Sequence, residues 1–239
     1  MSELTEQIKL ALAEKSIPEK AAFFPRFFKT KPGEYGEGDK FLGVIVPELR
    51  KISKSCFKEI SLDEIRQLLQ DEYHEVRLTA IFILVYRYEK LKTEEARKVL
   101  VDFYIEHLDF VNNWDLVDSS CHKILGHYFR KKDKYLFYEF AESGQLWRQR
   151  IAMISTYHWI KRGEFEDVFA IAELLVFHPH DLIQKAVGWM LREIGNQDLK
   201  SELAFLRMYF RTMPRTALRY AIEKLDSDLR QKILAGEDF

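Results

Sequence analysis

Apolar residues recur along the chain with a helical rather than a strand-like period. Between residues 75 and 88 they occupy so many positions that strand alternation does not fit, and we expect a buried helix there. Segments with a similar pattern predict buried helices at 114–128, 147–160, 182–194 and 217–225. Second helices are predicted between them at 94–107, 134–142, 164–176 and 201–210.

The starts of the buried helices are evenly spaced. Arg77, Asn112, Trp147, Leu182 and Ala217 occupy comparable positions, which gives a period of about 35 residues, close to that of two-helix repeats. Such repeats stack into a superhelix with one concave face, where function usually resides. We therefore expect an all-α superhelical solenoid of HEAT-like two-helix repeats with one concave face. It is expected to form a single domain over residues 1–239, with the repeats clearest from about residue 61 to residue 230.

Boundary signals agree with this division into helices. Glycines at 144, 163 and 195 stand where predicted helices must end, and residues 31–43 lack periodicity and are expected to form one long loop. Capping boxes, in which a Ser is followed three residues later by Glu, are predicted at two helix starts, and a close relative of this motif, an Asp followed by Gln, at a third. These pairs are Ser16 with Glu19, Ser61 with Glu64, and Asp181 with Gln184.

Charge and cysteine content narrow the possible functions. The formal net charge is −1, so nucleic-acid binding would require local basic clusters rather than a basic surface overall. The two cysteines, Cys56 and Cys121, have no ligand-like spacing and predict neither a disulfide framework nor a zinc site. The first residues do not have the pattern of a signal peptide, and no apolar run is long enough to cross a bilayer. We expect a cytoplasmic protein that does not bind membranes.

The predicted helix that starts near residue 114 carries an unexplained carboxylate. Either Asn112 or Asn113 can cap this helix, and Asp115 falls in its first turn, where a carboxylate favours the helix dipole. Asp118 lies beyond that turn, at the edge of an apolar arc and about 40° from Trp114. A carboxylate in this position is costly unless it is paired or used, so either a salt bridge to the next repeat or a functional role fits.

Later repeats supply aromatic and basic side chains. Arg150 occupies the repeat position nearest to Asp118 and is a candidate partner for Asp118 or for a phosphate, whereas Trp147 can be explained by packing alone. One repeat further, Lys185, Trp189 and Arg192 share a helix face, although core packing is the ordinary role of a tryptophan. Basic residues at comparable points of successive repeats either are solvated or contact phosphates along one groove.

Motifs of other function classes are missing from the sequence. There is no glycine-rich phosphate loop, no nucleophile elbow and no paired histidine ligands among the seven histidines. We therefore expect no metal and no cofactor.

Several stretches resemble one known family when they are taken in order. They are Asn113-Trp114-Asp115-Leu116-Val117-Asp118, Trp147-Arg148-Gln149-Arg150-Ile151-Ala152, and Lys185-Ala186-Val187-Gly188-Trp189-Met190-Leu191-Arg192-Glu193. Met213-Pro214-Arg215-Thr216, Leu218-Arg219-Tyr220-Ala221 and Phe41-Leu42-Gly43-Val44 extend the match over most of the chain. This ordered set resembles the bacterial DNA alkylation-repair glycosylases of the AlkD family, whose fold is a solenoid of HEAT-like repeats.

The resemblance implies a role for individual residues. It implies that Asp118 is the catalytic carboxylate, with Trp114 and Trp189 as its companion tryptophans and Arg150 as a cleft arginine. Further DNA-backbone contacts are implied for Arg148, Lys185, Arg192, Arg215 and Arg219. Two features depart from the family pattern: Gln149 stands where many relatives carry a basic residue, and the loop at residues 33–39 is longer than in the best-understood members.

The implied chemistry needs only one acid. An N3- or N7-alkylated purine is already cationic and leaves without protonation, while the sugar gains oxocarbenium character as the bond breaks. A single ionised carboxylate can stabilise that charge and orient the attacking water. We expect a monomeric DNA-alkylpurine glycosylase, a hydrolase that acts on double-stranded DNA containing alkylated bases.

Two alternatives stay open. A non-catalytic DNA-binding paralogue that recognises altered or branched DNA would use the same groove, and the loop at residues 33–39 and Gln149 favour it. A protein-interaction scaffold is the other, because many helical solenoids bind proteins and the net charge is near zero.

Overall fold

The structure is a computed structural model, and it describes residues 2–239 of the chain. Helices and the turns between them make up the described residues, apart from one isolated bridge between Lys40 and Tyr73. The all-α fold class is therefore confirmed. The helices form two compact units, one ending at Ser120 and the other running from Cys121 to Phe239. Each unit is described by itself, and the single domain and its concave face stay predictions.

Unit 1 is the unit that ends at Ser120. Its helices are α1 (Glu3–Ala13), α2 (Pro18–Phe27), α3 (Val46–Cys56), α4 (Leu62–Leu69), α5 (His74–Lys90), α6 (Glu94–Glu106) and the first part of α7 (Trp114–Phe129), with a 3-10 turn at Leu108–Phe110.

The core of unit 1 is built around α5. Every residue from His74 to Val85 is buried, because α3 and α4 both pack on this helix and α1 also contacts it. An α-helix that is apolar on nearly all sides belongs inside a core, so the pattern at 75–88 was sufficient to predict it.

A buried carboxylate fixes the end of the long loop before α3. Glu75 accepts hydrogen bonds from the backbone N–H groups of Leu42 (3.0 Å), Gly43 (2.7 Å) and Val44 (3.2 Å). Gly43 has a positive φ of 82°, and a Cβ there would lie 2.2 Å from the Ile17 carbonyl oxygen. Only glycine fits this close approach. The loop predicted at residues 31–43 is therefore present and tied firmly to α5.

Unit 2 is the unit from Cys121 to Phe239. After the end of α7 it contains α8 (Tyr135–Glu142), α9 (Leu146–Ser155), α10 (Tyr157–Ile160), α11 (Glu166–Leu175), α12 (Asp181–Gly195), α13 (Leu199–Tyr209), α14 (Arg215–Ala221), a 3-10 turn (Ile222–Lys224) and α15 (Ser227–Ala235). These bounds agree closely with the predicted segments.

One predicted helix is interrupted. The segment 147–160 is divided at Thr156, which lies between α9 and α10. The Thr156 hydroxyl donates to the Met153 carbonyl (2.7 Å), and the Thr156 N–H also bonds to that carbonyl, three residues back. A buried threonine that competes for backbone carbonyls in this way bends a helix, and apolar periodicity does not reveal it.

Close helix approaches in unit 2 occur at two glycines. A Cβ on Gly126 would lie 2.2 Å from the Ser155 carbonyl oxygen, and a Cβ on Gly188 would lie 2.3 Å from that of Ala217. Trp159 packs in the same core and donates its indole N–H to the Gly126 carbonyl (2.7 Å). The space beside Gly188 is thus filled by α14.

The capping predictions have mixed outcomes. The box at Ser61 and Glu64 is confirmed, with both reciprocal hydrogen bonds present. The box at Ser16 is wrong, because α2 starts after Ile17 and the Ser16 hydroxyl donates to the Leu42 carbonyl instead. The box at Asp181 is also wrong, since the cap of α12 is His180, whose ring nitrogen accepts the Leu182 N–H (3.1 Å).

Candidate nucleic-acid site

The first residues of α7 are anchored by Asn113, which is fully buried. Its side-chain oxygen accepts the Trp114 N–H (2.8 Å), and its backbone carbonyl accepts the Val117 N–H (3.1 Å). Its side-chain nitrogen donates to Asp39 Oδ2 (3.4 Å). Of the two asparagines that the sequence left open, Asn113 is the one that begins the helix.

Asp115 is held by a buried histidine. Asp115 Oδ2 lies 2.8 Å from His74 Nε2, and Asp115 Oδ1 accepts the Leu116 N–H (2.9 Å). The other ring nitrogen of His74, Nδ1, lies 3.1 Å from Asp39 Oδ2. His74 is only 2% exposed and has a carboxylate at each ring nitrogen, so it donates at both positions as an imidazolium.

The electrostatics of this cluster favour ionisation. Burial alone would lower the pKa of His74, but the Asp115 and Asp39 carboxylates raise it to about 9. Burial likewise opposes ionisation of Asp39, yet the hydrogen bond from His74 and the charge of Arg77 hold the Asp39 pKa below its usual value. Arg77 Nη2 lies 2.6 Å from Asp39 Oδ1. Two cations and two carboxylates therefore neutralise each other.

Aromatic rings cover this cluster. Phe28 stacks on Phe41 (centroids 5.0 Å apart, planes at 19°) and, at 5.5 Å and 13°, on Trp114. The His74 ring lies 4.7 Å from the Phe28 ring. Phe27, which is exposed to solvent, meets Trp114 edge to face at 5.8 Å. One face of the Trp114 indole is therefore occupied by Phe28.

Asp118 lies one turn after Trp114 on α7. Residues four apart project from the same face of a helix, and both side chains are half-buried. Asp115 is committed to His74, so Asp118 is the carboxylate of this turn that shares a face with the tryptophan.

Unit 2 holds the remaining predicted residues, beginning with Arg150. Arg150 is only 5% exposed, and its Nη1 donates to the Leu182 carbonyl at the start of α12. Gln149 is also buried, donates to the Ala141 carbonyl (3.1 Å) and pairs with His178 (3.0 Å). Glutamine at this position therefore serves packing between helices of unit 2.

Trp189 is half-buried on α12. Its indole N–H donates to Glu193 Oε1 (3.2 Å), and its ring lies 6.1 Å from that of Tyr157.

Several of the other predicted DNA contacts have an acidic or carbonyl partner within unit 2. Lys185 pairs with Asp181 (2.7 Å), and Arg192 pairs with Glu223. Arg215 is exposed and donates to the Leu234 carbonyl (3.1 Å). Arg219 is exposed, and Arg148 is half-buried with its guanidinium 5.9 Å from the Phe140 ring centroid. Partners this close are in competition with phosphate for these cations.

The structure brings Trp114 and Asp118 together within unit 1, and the other seven predicted site residues lie in unit 2. Sequence reasoning missed His74, Asp39 and Phe28. A signal existed for one of them: the aromatic run ending at Phe27 and Phe28 directly precedes the long loop. Nothing local indicated that Asp39 and His74 meet.

The family model described as DNA alkylation repair enzyme matches residues 8–225. This match covers most of the chain. The chain belongs to the DNA alkylation repair enzyme family. None of the curated proteins matches it in sequence.

Two solved structures resemble this DNA alkylation repair family member in fold. A predicted DNA alkylation repair enzyme from Enterococcus faecalis has a TM-score of 0.69 and 19% identity, covering 89% of this chain and 98% of its own. AlkD2 from Streptococcus mutans has a TM-score of 0.55 and 15% identity, covering 88% of this chain and 99% of its own. Similarity at this level of identity concerns the helical-repeat fold.

Two features are absent from residues 2–239 of this family member. No group of three or more His, Cys, Asp or Glu side chains in that range is arranged to hold a metal ion. Nor does the range contain a helix with the length and apolar character needed to span a membrane.

Proposed function

We propose that this DNA alkylation repair family member is a DNA glycosylase that hydrolyses the N-glycosidic bond of cationic N3- or N7-alkylated purines in double-stranded DNA. The observation that carries the proposal is the arrangement on α7, where half-buried Asp118 follows half-buried Trp114 by one turn and neighbouring Asp115 is neutralised by His74.

Asp118 would act on the sugar rather than on the base. As the bond between C1′ and the purine nitrogen breaks, its electron pair goes to the base, which leaves neutral, and positive charge develops on the deoxyribose. An ionised carboxylate stabilises that charge. Water then adds to C1′, and its proton passes to Asp118 or to solvent, leaving an abasic site and a free alkylpurine.

The tryptophans and cations would bind the substrate. The half-buried rings of Trp114 and Trp189 offer aromatic surfaces that pack against the sugar–phosphate backbone and attract a cationic base. Arg148, Arg150, Lys185, Arg192, Arg215 and Arg219 are the proposed backbone contacts. Of these, Arg150 is the most buried, which suits a charge held in a fixed position.

A base-release assay tests this function. Purified protein is incubated with duplex DNA treated with a methylating agent, and free N3-methyladenine and N7-methylguanine are quantified by mass spectrometry. Asp118→Asn keeps the size of the side chain and removes its charge, so we expect a loss of at least about 100-fold in the single-turnover rate. Glu139→Gln, an exposed carboxylate change on α8, is the matched control. Full activity of Asp118→Asn would show that the assigned role is wrong.

One observation favours a second function, binding of altered DNA without catalysis. Phe28 covers one face of Trp114, which leaves less room for a nucleotide beside Asp118. Salt-dependent binding of duplex or branched DNA together with no base release would select this alternative. Base release by the wild-type protein would exclude it.

A further inference from the structure

Trp189 belongs to a closed cycle of contacts among four side chains in unit 2. Its indole N–H donates to Glu193 Oε1 (3.2 Å), one turn further along α12. Glu193 Oε2 accepts a hydrogen bond from Lys161 Nζ (2.9 Å). The Lys161 ammonium lies over the Tyr157 ring, 5.1 Å from its centroid, and the Tyr157 ring in turn lies 6.1 Å from the Trp189 ring.

The two charged side chains of this cycle, Glu193 and Lys161, form an ion pair. Glu193 is only 12% exposed; burial opposes its ionisation, but the hydrogen bond from Lys161 and the Lys161 charge hold its pKa below the usual value. The hydrogen bond to Glu193 raises the pKa of Lys161 in return. Both are therefore ionised at neutral pH, and their charges cancel.

This arrangement solves a problem specific to a DNA-facing tryptophan. A half-buried indole can rotate about two side-chain torsions, and fixing it on binding costs free energy. A carboxylate hydrogen-bonded to the indole removes that freedom in advance, but an unpaired carboxylate would repel phosphate. Lys161 cancels the repulsion without breaking the hydrogen bond.

We propose that Glu193 is a positioning residue for Trp189, which fixes the indole plane for contact with the DNA backbone while Lys161 neutralises its charge. The inference rests on the proposed function, since it assumes that the chain binds duplex DNA through Trp189. The competing interpretation is that the Lys161–Glu193 pair only ties α10 to α12.

Two measurements separate these interpretations. The first is the indole ¹H–¹⁵N spectrum of the free protein, in which the Trp189 signal is assigned by its disappearance in Trp189→Phe. We expect Glu193→Ala to move this signal upfield because the hydrogen bond is lost, while Glu193→Gln, which keeps an amide oxygen as acceptor, leaves it close to its wild-type position. The other three indole signals should not move in either variant.

The second measurement is the Kd for a fluorescein-labelled duplex at fixed salt. The loss of one preorganising hydrogen bond predicts a Kd about fivefold higher for Glu193→Ala and a smaller change for Glu193→Gln. In a Trp189→Phe background, Glu193→Ala should not raise the Kd, because Glu193 acts through that indole N–H and its removal leaves the Lys161 charge free to attract DNA. The exposed control Glu139→Ala on α8 should change neither measurement.

The outcomes distinguish this inference from the function on which it rests. An unmoved Trp189 signal in Glu193→Ala, or an equal rise in Kd with and without the Trp189 indole, overturns the positioning role alone. Absence of duplex binding by the wild-type protein overturns the proposed function, and the DNA role of Glu193 with it. A moved signal together with non-additive Kd changes supports the inference.

Discussion

Replacing His74 with glutamine tests the buried cluster that holds the start of α7. His74 lies between Asp39 and Asp115, with hydrogen bonds of 3.1 and 2.8 Å, and is almost fully buried. Glutamine is similar in size but uncharged, so it leaves the two carboxylates with only Arg77 as a buried cation. Removing one partner from a buried ion network is strongly destabilising, because the other charges stay buried.

The magnitude follows from the pKa of His74. One pKa unit corresponds to about 1.4 kcal/mol, so raising the His74 pKa from 6.5 to about 9 is worth about 3 kcal/mol to the folded state. Because the folded-state pKa is the higher one, this contribution is fully present below pH 6.5. It declines as the pH rises and is lost above about pH 9. The stability difference between wild type and His74→Gln should therefore shrink by about 3 kcal/mol between these limits.

The assay must report on unit 1 alone. Trp114 is the only tryptophan before Cys121, so ¹⁹F NMR of protein labelled with 5-fluorotryptophan follows urea unfolding of that unit separately. His107→Gln is the matched control for removal of a buried imidazole, because His107 is buried in the same unit and its ring bonds to the Phe103 carbonyl (2.7 Å). A pH-independent difference for His74→Gln would refute the reasoning. If that variant does not fold, a wild-type His74 imidazole signal that titrates near 6.5 refutes it equally.

Two other carboxylates give independent predictions. Burial raises the pKa of Glu202 from 4.5 to about 8, so the folded state holds a proton that the unfolded state gives up, and this cost to stability grows as the pH rises between these values. Glu202→Gln should therefore be more stable than wild type by about 4 kcal/mol at pH 7.5 and nearly equal to it at pH 4.5. A gain in urea unfolding that does not depend on pH would contradict this. Glu223 pairs with Arg192, so Glu223→Gln should tighten duplex binding about two- to threefold and steepen its salt dependence by about one phosphate contact, whereas Asp102→Asn on α6 should not. Unchanged affinity and slope would remove Arg192 from the proposed phosphate contacts.

The helices were predictable because burial imposes their period on the sequence. The segment at 182–194 became α12 (Asp181–Gly195), and 94–107 became α6 (Glu94–Glu106), with differences of a residue or so. The predictions that were wrong concerned which side chain forms a hydrogen bond with a particular backbone N–H or carbonyl group. Thr156 interrupts one helix through its hydroxyl, and His180 rather than Asp181 caps another, because its ring nitrogen happens to face the free N–H.

Only the part of the candidate site that lies on a single helix, α7, was predictable from the sequence. Trp114 and Asp118 share a face by spacing alone, and a family resemblance named their roles. The partners of Asp115 and Asn113, by contrast, come from His74 and Asp39, 41 and 74 residues away in sequence. No periodicity brings such residues together. They meet because the long loop is anchored by Glu75 and returns to α5.

Contacts between successive repeats leave a signal in the sequence. Lys161 bonds to Glu193 32 residues later, Arg192 to Glu223 31 residues later, and Trp159 to Gly126 33 residues earlier. These separations are each close to one repeat, so a polar residue followed by a complementary one at that spacing indicates a contact between neighbouring repeats. This spacing accounts for the carboxylate partner of Arg192, whereas Lys185 pairs with Asp181 within its own helix.

Asp115 and Asp118 lie in the same turn region of α7 but have different electrostatic surroundings. Both carboxylate oxygens of Asp115 are hydrogen-bonded, one to the His74 imidazolium and the other to the Leu116 N–H. The positive charge of His74 therefore largely cancels the electrostatic effect of Asp115 on other groups. A carboxylate in that state offers little to a cation that develops on a sugar. Asp118 lies three residues after Asp115 and is displaced from it by about 60° around the helix axis, toward the Trp114 side. The buried histidine thus fixes the start of α7 and neutralises Asp115; in the proposed function, Asp118 is the carboxylate of this turn that stabilises the charge on the sugar.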